Sequence, residues 1–343
     1  MHTVPSSTDT PSRKVRGDWT PINYDLRDTW FPVSHSRDLS AQPIRRIIHA
    51  QPYYLWRENG QPRAAEFHPY RLRENTCVLT AFTGGSGFYP LVERYGYIWV
   101  WYGNPDAADT LLLPHIPFLP QDGSLPGYTQ RTVRFDATSA LSVENLIDLT
   151  HADFLHANTI GDGISESDEV EVQWTSETVT RTRTVAQKSV APIMRWVGGV
   201  RAKYQDFRAV LHIHLRSNVC ISYPRFRPGY DVPNLQPFLP VGKHRSRCDV
   251  TFNTTAAPSP FRYVMPRINY IIQPQDNSVV RPQNQRYFET DERRDLHSRF
   301  DTPGTRYRYQ MEQLVERQRA GQFAYGSDAE PGRDISTLLG MKD

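Results

Sequence analysis

Ser142-Val-Glu-Asn-Leu-Ile-Asp-Leu-Thr-His-Ala-Asp-Phe-Leu-His156 decides the reading of this chain. Fifteen residues bring an amide, a carboxylate and two imidazoles together on one short apolar segment. Ser142 is a suitable N-cap, and Glu144 falls in the first turn, where the helix dipole favours a carboxylate. Val143, Leu146, Ile147 and Thr150 supply an apolar face, so the spacing predicts a helix. On a regular helix Asp148 and His151 lie about 60° apart and share a face. His151 and His156 lie about 140° apart, so a helix that lets both reach one ion must end or distort between them. Neutral imidazoles are common ligands for divalent iron and zinc, which makes His151 and His156 candidate metal ligands.

Around this segment the sequence changes character twice. Before it, Trp30-Phe31-Pro32-Val33, Ile44 to Ile48, Tyr53 to Trp56, Cys77 to Phe82 and the pair Leu91 to Trp101 read as strands. Glu58-Asn59-Gly60-Gln61, Gly84-Gly85-Ser86-Gly87 and Gly96 supply turns. Residues 19–110 therefore form a small antiparallel β domain, preceded by a polar arm over 1–18 with no secretory h-region. Pro-rich sequence from Leu111 to Gln130 connects it to a second domain, 111–343. There Tyr128 to Asp136, Val170 to Trp174, Thr178 to Val185, Ala209 to Leu215, Val219 to Tyr223, Cys248 to Thr255 and Arg262 to Gln273 alternate as strands of a sheet. Tyr309 to Arg319 has helical spacing. The fold class is α+β, an antiparallel sheet with packed helices.

Composition narrows the function. The net charge of +3 is too small for a nucleic-acid footprint. No apolar run reaches membrane-spanning length, and the expected location is the cytoplasm. Cys77, Cys220 and Cys248 are too few and too scattered for a disulfide framework. No phosphate loop or nucleophile elbow is present. His212 and His214 alternate on one strand and share a face, which makes them a half-buried polar pair or further ligands. Arg195, Arg201, Lys203 and Arg208 form a solvated basic face or a docking surface for an acidic electron-transfer partner.

Asn145-x-x-Asp148-x-x-His151-x-x-x-x-His156 resembles the mononuclear iron motif of the Rieske non-haem iron oxygenases. Trp30-Phe31-Pro32-Val33 with Asp38-Leu39, Tyr54-Leu55-Trp56-Arg57-Glu58-Asn59-Gly60 and Val92 to Gly103 resemble the opening of that family and the strands that enter and leave its cluster domain. The resemblance implies a truncated Rieske-like β domain ahead of a helix-grip-type catalytic domain. It implies Fe(II) held by His151, His156 and one carboxylate, with open positions for dioxygen. It assigns Asp148 to the bridging carboxylate that hydrogen-bonds a ligand histidine, and Asn145 to a supporting contact. The C-terminal segment Tyr309-Gln310-Met311-Glu312 aligns Met311 with the third ligand. Glu312, one residue on, is the expected carboxylate, with Asp301 and then Asp295 as alternatives.

The cluster ligands depart from the family. Members hold a [2Fe–2S] cluster through Cys-x-His and Cys-x-x-His pairs. Here no cysteine has a histidine at either offset, and between Gly60 and Leu91 there is one cysteine, Cys77, and one histidine, His68. The sequence therefore predicts that this chain binds no [2Fe–2S] cluster, similar in that respect to the methylxanthine N7-demethylase component. Three functions remain. One is an Fe(II) oxygenase component that hydroxylates or demethylates a small aromatic or heterocyclic substrate, with electrons from an external Rieske or ferredoxin-reductase partner. The second is a non-catalytic subunit assembled with a homologous oxygenase. The third is zinc-assisted hydrolysis. A trimer or hetero-oligomer is the expected assembly.

Overall fold

The structure is a computed structural model that describes residues 23–67, 88–124, 128–148, 150–161, 168–289 and 300–341. The polar arm over 1–18, the Cys77 to Phe82 strand, the Gly84 to Gly87 turn and Asp295 lie outside the described residues.

The chain opens with strands β1 (Thr29–His35), β2 (Ile44–Ile48), β3 (Gln51–Glu58), β4 (Gln61–Ala65), β5 (Leu91–Arg94) and β6 (Tyr97–Tyr102). They form two three-stranded antiparallel sheets, ordered β1-β6-β5 and β2-β3-β4. Two-residue turns close the hairpins. Asn59 and Gly60 take φ 50° and 78°, and Tyr95 and Gly96 take 58° and 76°. Positive φ at both positions matches the right-handed twist of the flanking strands. The β2–β3 turn does the same with His49 (φ 46°) and Ala50 (φ 67°), neither of which relieves the strain as glycine does. Its two amides bond outward instead, His49 to the Pro240 carbonyl and Ala50 to that of Val241.

The second region is built on seven antiparallel strands: β7 (Tyr128–Phe135), β8 (Asp168–Trp174), β9 (Thr178–Ser189), β10 (Tyr204–His214), β11 (Val219–Arg227), β12 (Asn234–Gly242) and β13 (Arg245–Asn253). Their spatial order is β7-β13-β12-β11-β10-β9-β8. Both faces are covered. Leu211 and Ile213 on β10 face a core shared with the helices, while Val210 packs with Trp30, Tyr97, Trp99 and Trp101 of the β1-β6-β5 sheet. The helices are α1 (Ser139–Ile147), α2 (His151–Leu155), α3 (Pro192–Trp196), α4 (Pro260–Glu289), α5 (Thr302–Arg319) and α6 (Ser336–Leu339).

Three elements differ from the sequence reading. Helix α1 starts earlier than Ser142: Thr138 is its N-cap, accepting from the Leu141 amide, and Ser142 is buried inside the helix, bonded to Ser246. Strand β12 carries Pro237 and Pro240 and has no clean alternation, so its pattern is masked. Arg262 to Gln273 is helix, not strand. Its decisive spacing is Phe261, Met265, Ile268 and Ile272, at intervals of four, three and four, the stripe that packs into the core. Pro266, Pro274 and Pro282 lie inside this helix and each removes one backbone donor. Burial of the stripe holds the helix together despite them.

Candidate metal centre

The polypeptide changes course where the motif needs it to. Helix α1 ends at Ile147, and Asp148 caps it outside helical geometry (φ −76°, ψ 78°). A single turn of helix follows, α2, and His156 leaves it at φ −115°, ψ 24°. The helix thus ends between His151 and His156, and their rings lie 5.2 Å apart, edge to face. Gly161 lets the chain fold back against α2: a Cβ there would lie 2.0 Å from the Ala152 carbonyl oxygen.

The third group comes from α4. His151, His156 and Asp276 offer ligand atoms all within 4.8 Å of one another, the one such group of three among the described residues. Asp276 Oδ1 lies 3.0 Å from His156 Nε2 and 3.4 Å from His151 Nε2. Glu312 and Asp301 do not join this group. Helix α5 buries Tyr307, Met311, Leu314 and Val315, and Met311, at the aligned ligand position, is a core residue. Glu312 is one position off that stripe, and Asp301 caps the start of α5. The carboxylate that the structure brings to the two histidines is Asp276. Sequence reasoning missed it because its helix was read as a strand. The signal was present as the stripe Phe261, Met265, Ile268, Ile272, which continues at the helical interval to Asp276.

Each imidazole has one nitrogen engaged away from the centre. His151 Nδ1 donates to the Asp148 carbonyl, and His156 Nδ1 donates to Gln275 Oε1 at 2.8 Å. Both Nε2 atoms are thus directed at Asp276. A facial set of ligands at about 2.1 Å from one ion would be separated by about 3.0 Å, and a tetrahedral set by about 3.4 Å. The two separations from Asp276 Oδ1 equal those two values, and two neutral nitrogens with one carboxylate suit iron or zinc. Burial pushes the Asp276 carboxyl up, but hydrogen bonds from His151, His156 and Asn145 outweigh it and bring it down to about 2. Burial opposes protonation of His156, yet the Asp276 and Gln275 contacts prevail and raise its pKa.

Asn145 Nδ2 donates to Asp276 Oδ1 at 3.0 Å. Asp148 reaches His151 through its main-chain oxygen; its carboxylate instead accepts from the amide and hydroxyl of Thr150. Facing it from β9 is Arg181, fully buried, whose guanidinium nitrogens make no hydrogen bond. Burial, and then the neighbouring charge of Arg183, lower its pKa to about 10 against the pull of Asp148, Asp168 and Asp153. His212 and His214 lie elsewhere, on the β10 face that carries Val210, with His212 Nδ1 2.8 Å from Thr180 Oγ1. Of the basic stretch, Arg195, Arg201 and Lys203 are exposed, and Arg208 donates to the Leu339 carbonyl.

The centre opens on a cavity of about 240 Å³ between α4 and the sheet. Phe135, Phe207, Phe226, Phe238, Phe252 and Ile268 give it apolar walls. An apolar cavity of about 150 Å³ holds benzene, so this one has room for a substituted single ring.

Residues 135–317 match the family described as the vanillate O-demethylase oxygenase C-terminal domain, more than half of the chain. The chain belongs to the Rieske non-haem iron oxygenase family. Among its relatives, the vanillate O-demethylase oxygenase subunit of Pseudomonas sp. (strain HR199 / DSM 7063) is 31% identical over 107 residues, 31% of this chain and 30% of the relative. The toluene-4-sulfonate monooxygenase iron-sulfur subunit TsaM1 of Comamonas testosteroni is 35% identical over 171 residues, 40% of this chain and 48% of that one. The matched stretches thus span less than half of these relatives. Dicamba monooxygenase bound to dicamba shares the fold, with a TM-score of 0.71 at 18% identity over 87% of this chain and 99% of that structure. The antiparallel α+β architecture of this Rieske oxygenase family member is the one in that structure.

Proposed function

We propose that this chain is a non-haem Fe(II) oxygenase component that hydroxylates or oxidatively demethylates a small aromatic or heterocyclic substrate. The carrying observation is the convergence of His151, His156 and Asp276 at the wall of an apolar cavity. Iron held by these three residues supplies dioxygen activation. The chain's own residues supply the rest. The Asp148 carbonyl and Gln275 fix the tautomer of each histidine so that Nε2 is the ligating nitrogen. Asn145 fixes the orientation of Asp276. The aromatic walls hold a ring against the centre and exclude water.

Electrons come from a separate Rieske-bearing protein, because the sequence offers no Cys-x-His or Cys-x-x-His pair. Half-buried Asp148 is one main-chain hydrogen bond from His151, which makes it the residue through which the proposed donor would reach the centre.

The test is metal content and its dependence on the third carboxylate. Anaerobically purified protein should hold about one iron per chain, as one such triad requires. Asp276→Asn should lose it while Glu312→Gln retains it. Iron that survives Asp276→Asn refutes the assigned centre. Protein that takes up no iron favours the non-catalytic subunit, and zinc in its place favours hydrolysis.

A further inference from the structure

The cavity has a second polar feature that the metal centre does not use. Asn269 lies on α4 and lines the cavity, and its Nδ2 is buried without a hydrogen-bond partner. It sits seven residues before Asp276, which on a regular helix places both on one face about 10 Å apart along the axis. Ile272 lies between them and also lines the wall. A buried amide donor without an acceptor is unfavourable, so its place against an apolar cavity calls for a ligand that supplies one.

The charged groups at the cavity define which acceptor. Arg183 and Lys188 line it, but both are paired. Arg183 Nε lies 2.6 Å from Asp168, its Nη2 bonds Asp153, and Lys188 Nζ lies 2.6 Å from Asp153. The two side-chain cations that line the cavity are thus already held by Asp153 and Asp168, and Arg181, beside them on β9, does not line it. The other lining amides are engaged as well: Gln236 donates to Asn234, and Asn234 donates to the Val232 carbonyl.

We infer that Asn269 is a specificity-determining residue that donates a hydrogen bond to a neutral acceptor, such as a carbonyl, on the far end of a ring substrate. This rests on reading the cavity as the substrate site. The ring's reacting substituent lies at His151, His156 and Asp276, and its neutral acceptor meets Asn269 about 10 Å away along α4, on the scale of a ring with a substituent at each end. Carboxylate and sulfonate rings are disfavoured at the Asn269 end, because Arg183 and Lys188, the side-chain cations lining this apolar cavity, are already paired.

The experiment measures binding of three probes to the full chain, in chelator and separately after iron loading. The probes are para-methoxyacetophenone, para-isopropylanisole and para-methoxybenzoate, of similar shape but with a neutral acceptor, no acceptor and an anion. The ketone should bind about tenfold tighter than the isopropyl compound, the scale of one buried hydrogen bond, and tighter than the benzoate. Asn269→Leu should erase the ketone's advantage, and Asn269→Asp should reverse it. Equal binding of ketone and isopropyl probe to the unmodified chain overturns the inference without any variant. So does tighter binding of the benzoate, or a ketone preference that survives Asn269→Leu. The chelated arm separates the two readings. A ketone preference without iron uptake leaves Asn269 standing and removes the oxygenase; iron uptake without the preference does the reverse.

Discussion

His212 offers a prediction whose magnitude follows from its surroundings. It is 5% exposed, its Nδ1 meets Thr180, and the His214 ring lies 4.9 Å away. Burial lowers its pKa from 6.5 to about 4. Between those values the unfolded chain binds a proton that the folded chain refuses. The stabilisation from the neutral, buried ring is complete above pH 6.5 and is lost as pH falls towards 4. At about 1.4 kcal/mol per pH unit, roughly 2 kcal/mol is gone by about pH 5. His212→Gln keeps a side chain that can meet Thr180 but removes the titration. Urea unfolding of both proteins at a series of pH values from about 7.5 down to about 5 reads the difference, with chelator present so that metal uptake does not enter. The unmodified protein should lose about 2 kcal/mol more than the variant across that range. Parallel stability curves would show that His212 takes up its proton in the folded state and would refute the reasoning. Burial pushes the His214 pKa well below its ordinary value, so the same acid sensitivity should remain, reduced, in the single variant.

Two further outcomes follow from local geometry. Gln275→Leu should weaken metal binding by about 10- to 100-fold, the usual scale for a residue that orients a ligand histidine, as read by competition with a chelator; unchanged affinity would remove Gln275 from that role. Ala50→Gly should raise stability by about 1 kcal/mol, because Ala50 holds a left-handed conformation that glycine adopts without strain. A lower midpoint in urea would show that the β2–β3 turn depends on the alanine side chain.

What the sequence conveyed divides along physical lines. His151 and His156 were legible because they are close in sequence and carry their ligand chemistry themselves. The hairpin at Tyr95-Gly96 was legible because glycine marks a left-handed turn. Asp276 was not. It lies 120 residues from His156, and only tertiary packing brings it there. Its helix also contains three prolines and a run of residues that alternates well enough to imitate a strand. The same limit applies to Asp148: the motif placed it beside His151, but only the backbone conformation at the end of α1 decides that its carbonyl, not its carboxylate, makes the contact. Glu312 stands apart from the two histidines for a related reason, since which face of α5 is buried depends on what α5 packs against.

The arrangement around His156 explains how α4 brings a carboxylate to the two histidines. Gln275 and Asp276 are consecutive, about 100° apart on the helix, and they take opposite nitrogens of one ring. A single turn of α4 therefore sets both the tautomer of the histidine and the carboxylate that faces its other nitrogen. In the metal-free arrangement both His156 nitrogens face acceptors, which is why its pKa is raised despite burial. A metal ion held by His151, His156 and Asp276 would take the place of the proton on His156 Nε2, at groups already held in register by these hydrogen bonds. Asn145, at the end of α1, completes the link by tying Asp276 back to the helix that leads to both histidines. The stripe that buries α4 in the core, from Phe261 to Ile272, is what keeps that turn in place. The packing that hides this helix in the sequence is thus the packing that assembles the centre.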